Sequence, residues 1–437
     1  MNNKNNTRTI GLLGAISIGV GGMVGGGIFA VLGEAVSLAH GATVIAFLLA
    51  GIVAILTAYS YAKLSVKFQS KGGTVSFIDE AFGHNYLSGS VNFMLWLSYL
   101  VTISLYAVAF SSYSQVLFLD NETKFFNHFF ISLAILLPLV INLISASFVS
   151  KSESFIVFIK VVLLIVVIVA SYSYLDYDRL SPKHWEGSIS LLVAGMIIFV
   201  AYEGFELIAN SAEDIKNPKS NLPKAFYISV ILVIILYLLI AVTSIGTVSE
   251  DKLLEAKDYA LAIAAKPALG QIGFTIVSVT ALLATFSAIN ATIYGNGRLG
   301  YILAVDGELP TVFNTEKNNI PTLSVIITAF FSLILANSIN LAQIAIIGSA
   351  SFLLIFFIVN VAALKLYKQI KASKIILIIS CIISFIALST LIIHTYQTDK
   401  NAVIIFFAFI LVSILFEVLY GRFVRKHMFN REYKKEN

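Results

Sequence analysis

The feature that most constrains this chain is a series of long apolar runs, about twelve of them, separated by short polar stretches. About 20 apolar residues in a helix cross the hydrocarbon layer of a bilayer. The runs predict spans at 9–33, 40–66, 86–118, 129–148, 153–174, 187–212, 222–247, 270–304, 320–338, 341–367, 373–394 and 401–426. They account for nearly all of the 437 residues and leave no room for a sizeable soluble domain. Composition agrees: 58% of residues are hydrophobic and 12% charged, with mean hydropathy +0.90, whereas a soluble domain carries roughly 25% charged residues. The expected fold class is an all-α membrane protein of about 12 transmembrane helices, embedded in a lipid bilayer as a single transmembrane domain. Residues 250–267 are too polar to span and are expected to form a short surface helix on a loop.

Basic residues set the expected orientation. With the N-terminus in the cytoplasm, about 21 of the 29 Lys and Arg residues fall in cytoplasmic segments, including Lys63, Lys67, Lys71, Lys151, Lys216, Lys219, Lys224, Arg298, Lys317, Lys365, Lys368, Lys371, Lys374 and both tails. About seven fall outside: Lys124, Arg179, Lys183, Lys252, Lys257, Lys266 and Lys400. An even number of spans puts both termini in the cytoplasm of a multi-pass plasma-membrane protein. The first apolar run is too long for a signal-peptide core and reads as a retained helix. Basic residues dispersed over many loops do not make a nucleic-acid site.

The chemistry of an enzyme has no foothold here. The single cysteine, Cys381, cannot form an intramolecular disulfide or a Cys-based metal site, and the six histidines show no ligand spacing. No Ser/His/Asp set, metal cluster or phosphate loop is apparent. The expectation is no catalytic residue, no metal, no cofactor and no ATP-driven step.

Two apolar runs are interrupted. The first contains Gly19, Gly21, Gly22, Gly25, Gly26 and Gly27, ending in Ile28-Phe29. Glycine costs about 1 kcal/mol relative to alanine inside a helix, so this density predicts an unwound segment in the membrane. Such backbone is tolerated where it is buried or lines a cavity. There its free N–H groups and the following helix N-terminus suit a carboxylate. Close packing of small residues against a neighbouring helix is the alternative. The sixth run carries Tyr202-Glu203-Gly204-Phe205-Glu206. Carboxylates inside a span face a cavity or a partner; a structural pairing inside the bundle is the competing reading. Spans one and six open two successive five-helix sets. Interrupted helices in matching positions point to an inverted-repeat transporter with its substrate site at the breaks.

Gly25-Gly26-Gly27-Ile28-Phe29 resembles the first-helix signature of the amino acid–polyamine–organocation superfamily. Tyr202 to Glu206, then Ala212-Glu213-Asp214-Ile215-Lys216-Asn217-Pro218 and Asn221-Leu222-Pro223, resemble its sixth helix and the loop that follows. Asn290-Ala291 through Arg298 to Asp306-Gly307-Glu308-Leu309-Pro310 resembles its eighth helix. The resemblance covers essentially the whole chain and is closest to the prokaryotic proton-coupled members. It implies a LeuT-type fold: a first inverted repeat at 9–174, a second at 187–367, and two additional helices at 373–426. It further implies that N–H groups around Gly25, Gly26 and Gly27 hold a substrate carboxylate. Carbonyls near Met23, Phe199, Ala201 and Tyr202 would hold the α-amino group, with Phe199 as an aromatic lid. Glu203, Phe205 and Glu206 complete the candidate substrate set. Glu203 departs from the pattern, standing where close relatives often have an apolar residue. An extra carboxylate would favour a cationic substrate or act as a second proton carrier.

Lys160 belongs to no loop. It lies in the fifth span, about seven residues in by the predicted boundaries, and snorkelling to the surface is one reading. Burial disfavours the charged form of an amine, which opens a proton-transfer role. Sodium-coupled relatives of this fold hold a cation between the first, fifth and eighth helices. The resemblance implies that the Lys160 ammonium replaces it, with the Gly21 carbonyl and the Ser287 hydroxyl as acceptors. The leading expectation is proton-coupled uptake of amino acids. An amino acid or amine exchanger is the alternative; a non-transporting sensor would be expected to carry a signalling tail or domain.

Overall fold

Backbone groups in a bilayer must be satisfied within the segment that carries them, and each apolar run accordingly folds as a helix. The computed structural model describes residues 8–119, 123–144, 146–185, 187–317 and 320–425, with backbone alone for 146–154. In chain order the helices are α1 (Leu12–Met23), α2 (Gly27–Ala39), α3 (Thr43–Lys67), α4 (Thr74–Phe82), α5 (Tyr86–Phe118) and α6 (Lys124–Ile144). Next come α7 (Ala146–Ser171), α8 (Ser188–Ile197), α9 (Leu207–Asn210), α10 (Pro218–Thr247), α11 (Glu250–Glu255) and α12 (Ala260–Ala264). The chain closes with α13 (Lys266–Val305), α14 (Thr322–Ser338), α15 (Leu341–Lys365), α16 (Lys374–Thr398) and α17 (Lys400–Tyr420). Among the described residues ten helical segments are long and apolar enough to cross a membrane, and α1 with α2, bent by 45°, makes an eleventh if the pair counts as one span. Helix α14 is apolar but only 17 residues long, at the lower limit for a crossing; it takes the place of the expected ninth span.

The broken first span, α10, α5 and α13 form the centre of the bundle. Helix α1 packs on α10 and on the 3-10 segment Ile198–Glu206, and α13 packs on α5 and α7. Helices α16 and α17 pack at the periphery, on α15 and α5. The outer faces of α6, α7, α16 and α17 expose Leu137, Phe158, Val169, Phe385 and Phe407. An apolar surface of this extent suits lipid and not water. Polar side chains lie inside: buried Asn360 donates to Thr57 and Ser384 at 3.3 and 2.8 Å.

Two expectations about boundaries change. The predicted loop between the fourth and fifth spans is helix, because α7 starts at Ala146. Its serine-rich start contains no glycine or proline to stop it. Lys160 is therefore 14 residues into α7, roughly 21 Å at 1.5 Å per residue. A short helix not expected from the sequence, α4, follows Gly72-Gly73; Gly73 has φ +47°, and a side chain there would collide with Asn210. The polar stretch at 250–267 forms α11 and α12, but Leu253, Ala260, Leu261 and Ala262 are buried. Asp251, Lys252 and Glu255 stay exposed, so α11 is the expected short surface helix, docked on the bundle by one face as a cap. Gly33 permits this, since any Cβ there would overlap the Lys257 carbonyl. Lys4, the side chain of Lys151 and the basic residues after Arg425 lie outside the described residues.

The cap is tied down by ionisable groups. Lys257 pairs with Glu34 at 2.6 Å, Ser112 donates to Asp258 at 3.4 Å, and His40 contacts Glu250. Burial raises the Asp258 carboxyl above its usual range; Lys257 and the Ser112 hydrogen bond lower it, and Glu34 adds to the rise. A raised carboxyl binds its proton more tightly when docked than when released. Docking therefore strengthens as pH falls through the raised value and weakens as pH climbs above it. Asp258→Asn should flatten the pH dependence of amide exchange in α11 and α12. A variant with the wild-type profile would show that another group sets it.

At the opposite end, the segment before α1 is pinned. Arg8 donates to Gln69 Oε1 at 2.7 Å and to the Ile215 carbonyl at 3.0 Å. The Ile10 N–H donates to the Asp214 carbonyl at 2.9 Å, and the Lys216 N–H to the Ile10 carbonyl at 2.8 Å.

Candidate functional site

Helix α1 ends at Met23 and α2 begins at Gly27, so residues 24–26 form the break. No side chain caps α2, and the first N–H groups of any helix lack intrahelical acceptors. The end of α1 frees carbonyls in turn, and other helices claim two of them. Lys160 Nζ donates to the Gly21 carbonyl at 3.2 Å. The Tyr237 hydroxyl lies 2.6 Å from the Met23 carbonyl and 3.2 Å from that of Ala201. Tyr237 thus bridges the two breaks, and it was missed in the sequence because a tyrosine in an apolar run reads as packing.

The interruption of the sixth span is a tightening to 3-10 geometry over Ile198–Glu206 instead of an unwound loop. A 3-10 run longer than three or four residues is uncommon and often marks a hinge. Ser349 of α15 bridges its start: its hydroxyl accepts from the Val200 N–H at 2.8 Å and donates to the Ile197 carbonyl at 2.6 Å. The two interruptions touch through backbone. A Cβ on Gly22 would lie 2.5 Å from the Gly204 carbonyl oxygen, and one on Gly27 would lie 2.7 Å from the Ala201 Cα. Glycine at 22, 27 and 204 permits that approach.

Helix α5 supplies a stripe the sequence reading did not single out. Tyr99, Thr102 and Tyr106 recur at i, i+3 and i+7, which places them on one helix face. Tyr99 donates to Glu206 Oε1. Thr102 donates to Glu203 Oε1 at 2.6 Å. The Tyr106 ring lies against Gly26, and its hydroxyl is 3.5 Å from where a Gly25 Cβ would be.

The structure brings Met23, Gly25, Gly26, Gly27, Ala201 and Glu203 together around this seam and directs other candidates elsewhere. The Tyr202 hydroxyl donates to the Phe47 carbonyl at 3.0 Å. Phe205 packs edge-on to Tyr61, at 5.5 Å between centroids, and on Phe356 at 5.3 Å. Phe199 packs edge-on to Phe356 at 5.8 Å. Glu206 is a structural knot: besides Tyr99, its Oε2 accepts from Thr74 at 2.9 Å and Tyr61 at 3.2 Å. It thereby joins α3, α4, α5 and the 3-10 segment. Lys160 is 1% exposed, which removes the snorkelling reading, and Ser287 is buried on α13.

Leaving buried hydroxyls without an acceptor costs about 1–3 kcal/mol each. Glu206→Ala should therefore destabilise the protein by roughly 3 kcal/mol or more, read as a lower melting temperature in detergent. Melting with the wild type would show that Glu206 does not hold these helices together.

Two interrupted spans in contact inside a helical bundle are the arrangement in which membrane transporters build a substrate site. The amino acid permease family model matches residues 10–416, and this chain belongs to that family, within the amino acid–polyamine–organocation superfamily. An uncharacterised protein of Methanocaldococcus jannaschii is 33% identical over 98% of this chain and 99% of its own length. The inner membrane transport protein YbaT of Escherichia coli is 32% identical over 96% and 98%. A crystal structure of a mutant manganese transporter from Eremococcus coleocola superposes with TM-score 0.64 over 95% of each chain at 13% identity, a likeness of fold alone. The protein is a multi-pass membrane transporter for amino acids and not an enzyme.

Proposed function

We propose that the protein takes up amino acids by proton symport with alternating access, and that Lys160 carries the proton. The observation that supports this most is the buried Lys160 donating to the Gly21 carbonyl, two residues before α1 ends. A protonated ammonium has three donors; one tethers α7 to α1, and Ser287 on α13 remains the candidate for another. Loss of the proton removes the charge that strengthens this tether and frees α1 to move.

In this reading the substrate carboxylate binds the N–H groups of Gly25, Gly26 and Gly27. The substrate ammonium takes the Met23 and Ala201 carbonyls from the Tyr237 hydroxyl. Phe199 leaves Phe356 to close over the substrate. Residues 9–174 and 187–367 act as the two inverted repeats, with 373–426 as additional helices. The excess of basic residues in alternate loops supports a reading with both termini in the cytoplasm of a plasma-membrane protein. The test is uptake of radiolabelled amino acids into proteoliposomes, with and without an imposed pH gradient, in sodium-free buffer. Sodium-free uptake driven by an inward proton gradient is expected. Uptake that requires preloaded amino acid and ignores the gradient would make the protein an exchanger.

A further inference from the structure

Glu203 is 3% exposed, and its two oxygens are treated differently. Oε1 accepts from Thr102; among the described residues Oε2 is buried with no hydrogen-bond partner. The residue stands between the two backbone contacts that join the interruptions, Ala201 against Gly27 and Gly204 against Gly22. Thr102, which holds it, is one turn from Tyr106, whose ring lies against Gly26.

We infer that the Glu203 carboxylate, oriented by Thr102, is the side-chain subsite for an amino acid whose side chain ends in a cationic amine or guanidinium. The inference rests on the proposed transport reading, with the substrate carboxylate at the glycine break. Thr102 and Tyr106 are about 6 Å apart along α5 at 1.5 Å per residue. A lysine-like side chain leaving the break beside Tyr106 has the reach to bring its terminal nitrogen to Glu203. Its N–H groups would supply the donor that Oε2 lacks, and its charge would compensate the carboxylate in a water-poor interior. A neutral aliphatic side chain of the same length would leave that oxygen unmet.

Paired isosteres test this in the wild-type protein, by competition against radiolabelled uptake in proteoliposomes: lysine with norleucine, and arginine with citrulline. The cationic member of each pair should compete more strongly by about tenfold or more. Glu203→Gln keeps the shape and removes the charge, and should bring both ratios close to one. Neutral members competing equally well in the wild type would overturn the inference while leaving amino acid transport standing. Glu203→Gln with unchanged ratios but an altered pH profile would overturn it in favour of proton carriage. A wild type that takes up none of these amino acids, nor any other, would overturn the transport reading itself. The isostere pairs decide the matter even if the variant does not fold.

Discussion

Lys160→Ala should abolish the stimulation of uptake by an inward proton gradient, leaving slow, gradient-independent uptake. The lysine is buried, and its Nζ is 3.2 Å from the Gly21 carbonyl. Hydrogen bonds to charged groups contribute about 1.5–3 kcal/mol. That is roughly a ten- to hundredfold bias on the balance between access states, present only while the amine holds its proton. Alanine removes the tether in every state, so the gradient has nothing to act on. Lys160→Arg should fail differently, because a guanidinium does not release its proton and keeps a charge beside α1 throughout the cycle. Initial rates in proteoliposomes, at equal protein incorporation and with the gradient imposed or collapsed, are the measurement. Full gradient-driven uptake by Lys160→Ala would sink the mechanism. So would a strict sodium requirement in the wild type.

Gly27→Leu should remove amino acid binding, and Gly26→Leu should do the same by a different route. At Gly27 even the first added carbon lies 2.7 Å from the Ala201 Cα, which is backbone and can yield only by separating the two interruptions. At Gly26 the obstacle is the Tyr106 ring, a side chain that can swing. The larger loss of folded protein is therefore expected at Gly27, and Gly26→Leu is the cleaner probe. Its side chain would occupy the approach of a carboxylate to the free N–H groups before α2. Losing one or two charge-assisted hydrogen bonds weakens binding by about tenfold or more, read by calorimetry on purified protein. Gly295→Ala is a suitable control, because a Cβ there meets nothing within 4 Å. Unchanged affinity in Gly26→Leu would move the site away from the first span.

Legibility followed the range of the physics. The apolar runs and the six glycines at 19–27 act locally, through transfer from water and through helix propensity. They made the spans and the first break readable before any contact was known. The sixth interruption was readable as a place but not as a geometry. Its 3-10 form depends on Ser349, 149 residues away along the chain from Val200. The two glutamates looked alike in sequence. Packing separates them: Glu206 is fully claimed by Tyr99, Thr74 and Tyr61, while among the described residues Glu203 holds a single hydrogen-bond partner and keeps one oxygen unmet.

By itself, then, the sequence determined the membrane class, the order of the spans and the two weak points in the bundle. Hydrophobicity and glycine content report what a segment can do alone. Which groups meet at those weak points was decided only by the tertiary structure. Lys160 and Gly21 are 139 residues apart, and Tyr237 and Met23 are 214 apart. No local preference of either partner selects the other. Burial in a bundle whose freed carbonyls need donors does.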